Sequence, residues 1–361
     1  MIKEKIGYSY NDLTIIPKRI SDIKSRSECN PFLKEGNLPI FTAPMSTVVN
    51  LENIQTFKDN RIIPILPRNI NIKNRIANLN VNWVALSLNE FEEVFINNWD
   101  KYLKLGQTYK VCVDIANGHM YSLYQKCQKA KNIAEKNNYA LTIMTGNIAN
   151  PATYKLITEF ITNSGNTVID YIRLSVGSGS QCLTASNVAT HYPIASLIDE
   201  CVAMKPCLPI PAPKIIADGG IKNYSDVIKA LALGADYVMI GGLFAGMYES
   251  ASPLLDASHK ETYMCKTEED KRKQIESCYL SKECYGMSTK KAQNEIGKSN
   301  KTSEGKHSYI PVKYTLSQWT ENMIDYLKSA MSYCNSRNII DFIGNQTLIV
   351  NSIGEINAVN K

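Results

Sequence analysis

Three stretches of this 361-residue chain place reactive or anion-holding residues at spacings that chemistry could use. The first is Gly177-Ser178-Gly179-Ser180-Gln181-Cys182-Leu183-Thr184, a loop of small residues able to bend sharply and point carbonyls or amides inward. Cys182 at its end offers a nucleophile, provided that local positive potential or a nearby base favours the thiolate. The plain alternative is a cysteine that is merely small and tolerated in a glycine loop. The second pattern is a pair of glycine doublets, Gly219-Gly220 after Asp218 and Gly241-Gly242 further on. Lacking a β-carbon, such doublets let backbone N–H groups approach a phosphate closely. Asp218 beside the first doublet suits the hydroxyls of a ribose, although a helix cap would use the same aspartate. The third pattern is Ser303-Glu304-Gly305, in a polar segment. Glutamate there is ordinarily just solvated, and becomes an acid–base group only if the segment closes over a pocket.

The elements that must position these residues are legible as eight short apolar runs. They are Leu38–Thr42, Ile62–Leu66, Trp83–Leu86, Val111–Ile115, Leu141–Thr145, Tyr171–Val176, Lys214–Ala217 and Tyr237–Ile240. The runs are nearly continuous rather than alternating, as expected for parallel strands buried on both faces. Between them lie helical patterns: His119–Asn137, the Asn-Pro start at Asn150, and Tyr224–Leu233 behind an Asn-x-x-Asp cap. This alternation predicts an α/β chain closed into a (β/α)₈ TIM barrel, with a doubly wound open sheet as the weaker alternative. A barrel puts its chemistry on the loops after the strands, and all the patterns named above except the third follow a predicted strand. The stretch 252–283 reads as an exposed Lys- and Glu-rich insertion after the eighth strand, and 286–308, with Gly286, Gly297 and Gly305, as a mobile flap. Thr315–Ala330 reads as a helix packed on the barrel. The whole of 1–361 is expected to be one catalytic domain.

Composition narrows the function classes. With 44% hydrophobic residues the chain can bury a sizeable core, and a net charge of +6 suits an anionic small molecule or a solvated basic surface. No Lys/Arg block suggests nucleic acid, no apolar run approaches a membrane span, and the N-terminus lacks a leader pattern, so a cytoplasmic protein is expected. The ten cysteines form no Cys-x-x-Cys pair, and the four histidines add no ligand spacing, which argues against zinc and against a disulfide framework.

The chain resembles the IMP dehydrogenase/GMP reductase family over nearly its whole length. The motifs that carry the resemblance run in order. They are Tyr10-Asn11-Asp12-Leu13 with Ile16-Pro17, Ala43-Pro44-Met45-Ser46-Thr47-Val48, Asp114-Ile115-Ala116-Asn117-Gly118, Gly146-Asn147, the Cys182 loop, Ala217-Asp218-Gly219-Gly220 and Gly241-Gly242. Tyr285-Gly286-Met287-Ser288 and Ser303-Glu304-Gly305-Lys306 complete the series. The resemblance implies that Cys182 attacks carbon-2 of a purine nucleotide to form a covalent thioimidate, with Thr184 and Glu304 as catalytic partners. It implies that Ser180, Asp218, Gly219, Gly220, Gly241, Gly242, Tyr285, Gly286, Met287 and Ser288 hold the nucleotide. Asp114, Ala116, Asn117, Gly118, Ser303 and Gly305 would meet a nicotinamide cofactor, NADPH. The carbonyls of Gly177, Gly179 and Cys182 would take a monovalent cation such as K⁺, and the assembly would be a homotetramer.

Within the family the patterns point to the reductase branch, which releases ammonia from GMP to give IMP. Asp-x-Ala-Asn-Gly and the Tyr-Gly-Met-Ser and Ser-Glu-Gly-Lys runs are reductase-like, and no Arg-Tyr pair stands in the flap to activate water. Only about fifteen residues join the second and third strands, too few for a CBS-type regulatory domain. Arg173, Arg68-Asn69 and Lys301 depart from the reductase pattern, and Ser46 replaces an aspartate of both branches. The other two readings are oxidation of IMP to XMP with NAD, and a catalytically silent nucleotide-binding regulator.

Overall fold

The computed structural model describes residues 6–208, 211–297, 302, 303 and 305–359. Eight parallel strands make the central sheet: β1 (Ile40–Thr42), β2 (Ile65–Leu66), β3 (Trp83–Leu86), β4 (Thr108–Val113), β5 (Ala140–Ile148), β6 (Tyr171–Leu174), β7 (Lys214–Asp218) and β8 (Tyr237–Ile240). Each pairs with its sequence neighbour from β2 to β8, and β1 pairs with β8. The remaining edge closes through Phe41 and Ile63: Thr42 N donates to Ile63 O (3.0 Å) and Ile63 N to Ile40 O (2.9 Å). No edge of the ring is left open, so the fold is the closed (β/α)₈ barrel and not the open sheet.

Helices α1 (Ile54–Asp59), α2 (Ile72–Ala77), α3 (Leu88–Glu92), α4 (Tyr121–Lys136), α5 (Pro151–Ile157), α6 (Ile194–Met204) and α7 (Tyr224–Leu233) follow β1 to β7 in turn, and α8 (Leu316–Tyr333) closes the ring after β8. Their starts are set by the residues that suggested them. Asn150 caps α5 through Ala152 N with Pro151 in the first turn, Asn223 and Asp226 form a reciprocal cap on α7, and Thr315 with Gln318 does the same for α8. Buried Leu316, Trp319, Met323, Leu327 and Met331 recur three or four residues apart along α8, the stripe that packs on the barrel.

The stretch 252–283, although largely exposed, carries regular structure that its sequence does not announce. Leu254–Leu255 pairs with Ser281–Tyr285, which in turn pairs with His307–Pro311, giving a three-stranded antiparallel sheet beside the helix Glu268–Ser277. The expected flap is the connection between the last two of these strands, and it carries a helix at Lys290–Glu295 capped by Thr289. Lys282 in the middle strand is fully buried and its Nζ donates to Ser250 O (2.9 Å) and Ser252 O (2.5 Å). Two backbone carbonyls thus hold a lysine that a polar sequence segment had hidden.

Alternate residues of the strands point into the barrel and stack there in layers. The lower layer is aromatic, with Phe41, Trp83, Tyr171 and Tyr237 packed ring against ring (Phe41–Tyr237 centroids 5.1 Å, Trp83–Tyr171 5.2 Å). Ala85, Cys112, Met144 and Ile216 form an apolar middle. Asp114, Arg173 and Asp218 lie above it, where the C-terminal ends of the strands open on the loops.

Candidate active site

The upper layer is a charge relay of fixed geometry. The Arg173 guanidinium lies between two carboxylates: Nε and Nη2 reach Asp218 Oδ2 (both 2.8 Å), and Nη1 donates to Asp114 Oδ1 (2.9 Å). Asn147, on the neighbouring strand β5, adds a donor to the same Asp218 oxygen at 2.7 Å. Arg68 Nη1 donates to the Asp114 carbonyl (3.3 Å) and sits 3.9 Å from its carboxylate. Burial opposes the Arg173 charge, but the Asp218 and Asp114 carboxylates more than reverse this and push its pKa well above the ordinary value. Cys112, directly beneath, is pushed up to about 12 by burial and is an inert thiol. Among the described residues all the bonds to the Asp218 carboxylate fall on Oδ2, which leaves Oδ1 as the oxygen available to a ligand.

Above this layer opens a cleft of about 190 Å³. Nearly all the residues expected on the nucleotide side line it: Ser180, Asp218, both glycine doublets, Gly286, Met287 and Ser288, together with Cys182 and Gly179. Gly219 adopts φ +102°, open to glycine but strained for other residues, and so turns the β7 loop back against Gly179. A β-carbon on Gly242 would stand 2.4 Å from Ser180 Oγ, so any side chain there would have to displace the Ser180 hydroxyl. Tyr285 is the exception. It is buried outside the cleft lining and its hydroxyl donates to Glu295 Oε1 at 2.6 Å, tying the flap helix to the sheet.

Cys182 is half-buried, and its thiol donates to Thr184 Oγ1 at 3.2 Å. Its amide donates to Gly179 O (2.9 Å), closing the turn that presents the sulfur. The far end of the flap lies across this turn: Gly305 bridges Cys182, Lys306 N donates to Gln181 O (2.7 Å), and Ser308 Oγ donates to Gln181 Oε1 (3.1 Å). Ser303 Oγ donates to Ser288 O (3.3 Å) and Gly305 O (2.8 Å), so this segment joins the nucleotide side to the cysteine side. Glu304 and Lys301 lie outside the described residues.

The residues expected to meet a cofactor divide. Asp114 lines the cleft, whereas Ala116 and Asn117 are exposed beyond it, and Asn117 Oδ1 accepts from His119 N (3.0 Å). Gly118 is buried; its N–H donates to Asn147 O (3.0 Å) and its carbonyl accepts the Tyr124 hydroxyl (2.5 Å). Gly118 is therefore a packing residue that holds the loop, and the exposed Ala116-Asn117 rim is what an extended dinucleotide could reach. Gly177, with φ +79°, and Gly179 belong to the same tight turn as Cys182, and their neutral backbone oxygens have the hard-donor character that K⁺ requires. Reading residue types alone missed the structural part played by Arg173 and Asn147. A signal existed: an arginine inside the otherwise apolar run Tyr171–Val176, two residues after Tyr171, must point into the barrel.

Comparison with known proteins gives a consistent result. Residues 100–356 match the family described as IMP dehydrogenase / GMP reductase domain. The chain is similar to a protein named GMP reductase from Caenorhabditis elegans, 25% identical over 96% of this chain and 93% of the relative. Similar proteins of the same name occur in Streptococcus agalactiae (26% identical, 92% of this chain and 91% of the relative) and Streptococcus pneumoniae (28%, 94% of each). Among the described residues no helix is long and apolar enough to cross a membrane.

Proposed function

The chain belongs to the IMP dehydrogenase/GMP reductase family, and from that membership we propose that it reduces GMP to IMP and ammonia at the expense of NADPH. The Cys182 thiolate adds to carbon-2 of the purine, the bond from that carbon to the exocyclic amine breaks, and the amine leaves as ammonia after taking up a proton. Thr184, hydrogen-bonded to the Cys182 sulfur, and Glu304 supply that proton, because an amide ion is not a viable leaving group. NADPH would supply the hydride for carbon-2, and expulsion of the Cys182 thiolate from that carbon gives IMP. Ser180 with the two glycine doublets cradles the phosphate, Asp218 Oδ1 takes the ribose, and Tyr285, Gly286, Met287 and Ser288 shape the base side. Asp114, Asn117 and Ser303 would face the dinucleotide, and the carbonyls of Gly177, Gly179 and Cys182 would hold K⁺. A single catalytic barrel without a regulatory domain, a homotetramer and a cytoplasmic location belong to the same proposal.

The observation that carries the reductase reading is the composition of the flap. Between Met287 and Glu304 there is neither an arginine nor a tyrosine to deprotonate a water, so the covalent adduct should be resolved by hydride and not by hydrolysis. Arg173 favours the dehydrogenase reading, and one assay decides between them. With K⁺ present, GMP plus NADPH should give IMP, ammonia and loss of NADPH absorbance, whereas IMP plus NAD⁺ should give XMP at least about a hundredfold more slowly. Comparable XMP formation would place the chain with the dehydrogenases, and no turnover of either pair with tight nucleotide binding would identify a silent regulator. Cys182→Ala should lose turnover by several orders of magnitude and keep GMP binding; an adduct and activity that both survive would move the nucleophile elsewhere.

A further inference from the structure

The opposite, N-terminal mouth of the barrel holds a second cavity, of about 480 Å³, larger than the cleft beside Cys182. Its floor is the aromatic lower layer of the interior, Phe41, Trp83, Tyr171 and Tyr237. Its rim is basic. Strand alternation puts Lys110 in line with Cys112 and Asp114 on β4, and Lys214 in line with Ile216 and Asp218 on β7, so both lysines belong to the inward-facing set. Lys58 joins them from α1. Lys214 Nζ lies over the rings of Tyr171 (5.6 Å) and Tyr237 (5.7 Å).

Two features mark the cavity as unsatisfied. Among the described residues none of Lys58, Lys110 and Lys214 has a carboxylate partner, whereas Lys205, which shares a neighbouring hollow with Lys214, is paired with Asp236 at 2.6 Å. Glu35 is the only acidic side chain in the lining, so the mouth carries three positive charges and one negative, a balance of +2. In addition Asn82, only 7% exposed and part of the lining, has an Oδ1 with no hydrogen-bond donor among the described residues. An orphaned acceptor and unneutralised cations around an aromatic floor whose rings meet largely edge to face are a poor way to end a barrel, since the bottom layer ordinarily serves stability.

We propose that this mouth is a second ligand site, for a small phosphorylated compound with a flat ring, of the class of a nucleoside monophosphate. A phosphate monoester carries close to two negative charges at neutral pH and matches the +2 balance, with Lys110, Lys214 and Lys58 as donors. The ring lies against the aromatic floor of Phe41, Trp83, Tyr171 and Tyr237, beside the Lys214 ammonium that already stands over Tyr171 and Tyr237. The proposal does not depend on the chemistry assigned to Cys182.

Trp83 in the floor makes the site readable. AMP is titrated against the full-length protein, with Trp emission and calorimetry as readouts, alongside adenosine as the uncharged control. Saturable binding is expected, with adenosine at least about tenfold weaker, the size of one lost charge-assisted hydrogen bond. The Lys110→Glu/Lys214→Glu variant, whose altered side chains are exposed, should fold with an unchanged melting temperature and lose AMP binding by about tenfold or more. A Gly242→Asp variant, which blocks the cleft near Cys182, should bind AMP with a Trp83 response like that of the wild type. No saturable binding up to about 10 mM, weaker than any useful affinity, would overturn the proposal. So would binding that the lysine variant retains, binding that only Gly242→Asp abolishes, or adenosine binding as tightly as AMP.

Discussion

Replacing Arg173 by methionine tests whether the upper layer of the barrel is held together as described. The guanidinium is 9% exposed and makes contacts of 2.8 to 2.9 Å with two carboxylates that are themselves 12% and 13% exposed. Methionine fills much of the volume but leaves Asp218 with Asn147 alone and Asp114 with Arg68 at 3.9 Å. Removing one partner of a buried ion pair costs about 3–5 kcal/mol, because the remaining charge stays desolvated. Here two carboxylates are stranded together but both line the cleft and so stay partly hydrated, which puts the loss at the lower end, about 3 kcal/mol. Arg173→Lys keeps the charge but cannot span both acids, and should cost about half as much. The double variant Arg173→Met/Asp218→Asn should recover part of the loss, a non-additivity that a simple cavity would not produce. Urea unfolding at neutral pH measures all three. A loss below about 1 kcal/mol in Arg173→Met would mean that water reaches these carboxylates and that the layer is not a dry relay.

Other outcomes follow from single positions. Gly242→Ala puts a β-carbon 2.4 Å from Ser180 Oγ, and should weaken GMP binding by about tenfold or more with little change in melting temperature; an unchanged affinity would remove the doublet from the phosphate cradle. Ser175 is buried at φ 141°, a region essentially reserved for glycine, so Ser175→Gly should raise the unfolding free energy by about 1 kcal/mol, and a destabilised variant would show that no strain is stored there. Burial lowers the Lys282 pKa to about 8, so the unfolded chain holds a proton that the folded one has released between pH 8 and the unfolded value of 10.5. Stability relative to Lys282→Met should therefore rise across that window, by at most about 3 kcal/mol, and fall as the pH drops through 8; a flat difference would mean that the two carbonyl bonds keep the lysine charged.

The barrel was legible because its strands are buried on both faces, which writes them as continuous apolar runs. Where the runs and the strands disagree, the cause is local. Pro39 and Pro64 have no N–H to give a ladder, so β1 and β2 begin after them, at Ile40 and Ile65, and Ile63 is left as the single bridge that closes the ring. Gly146-Asn147 reads as a corner, yet β5 continues through it to Ile148 over a bulge. The glycine doublets and the cysteine loop were also legible, since each sits next to its strand and needs only local geometry. The ribbon of 281–285 with 307–311 was not, because its two strands are separated by the whole flap and are polar in composition. Buried Lys282 and bridging Arg173 escaped for the same reason: the groups that satisfy a buried charge, loop carbonyls for Lys282 and carboxylates at other strand ends for Arg173, lie elsewhere in the chain, and residue type in one segment does not report them.

The same alternation that hid Arg173 explains how one strand serves two ends of the molecule. On β4 the inward positions are Lys110, Cys112 and then Asp114 just past its end; on β7 they are Lys214, Ile216 and Asp218. Residues four apart on a strand are separated by about 13 Å, so each strand carries a cation at the lower mouth and an acid at the upper one, with an apolar residue between. That distance exceeds the screening length of about 8 Å at physiological salt, though the dry middle layer screens less than water. Charge changed at Lys110 or Lys214 is therefore felt weakly at Asp114 and Asp218, and chiefly through the strand itself. The barrel wall keeps the two mouths chemically separate while joining them mechanically.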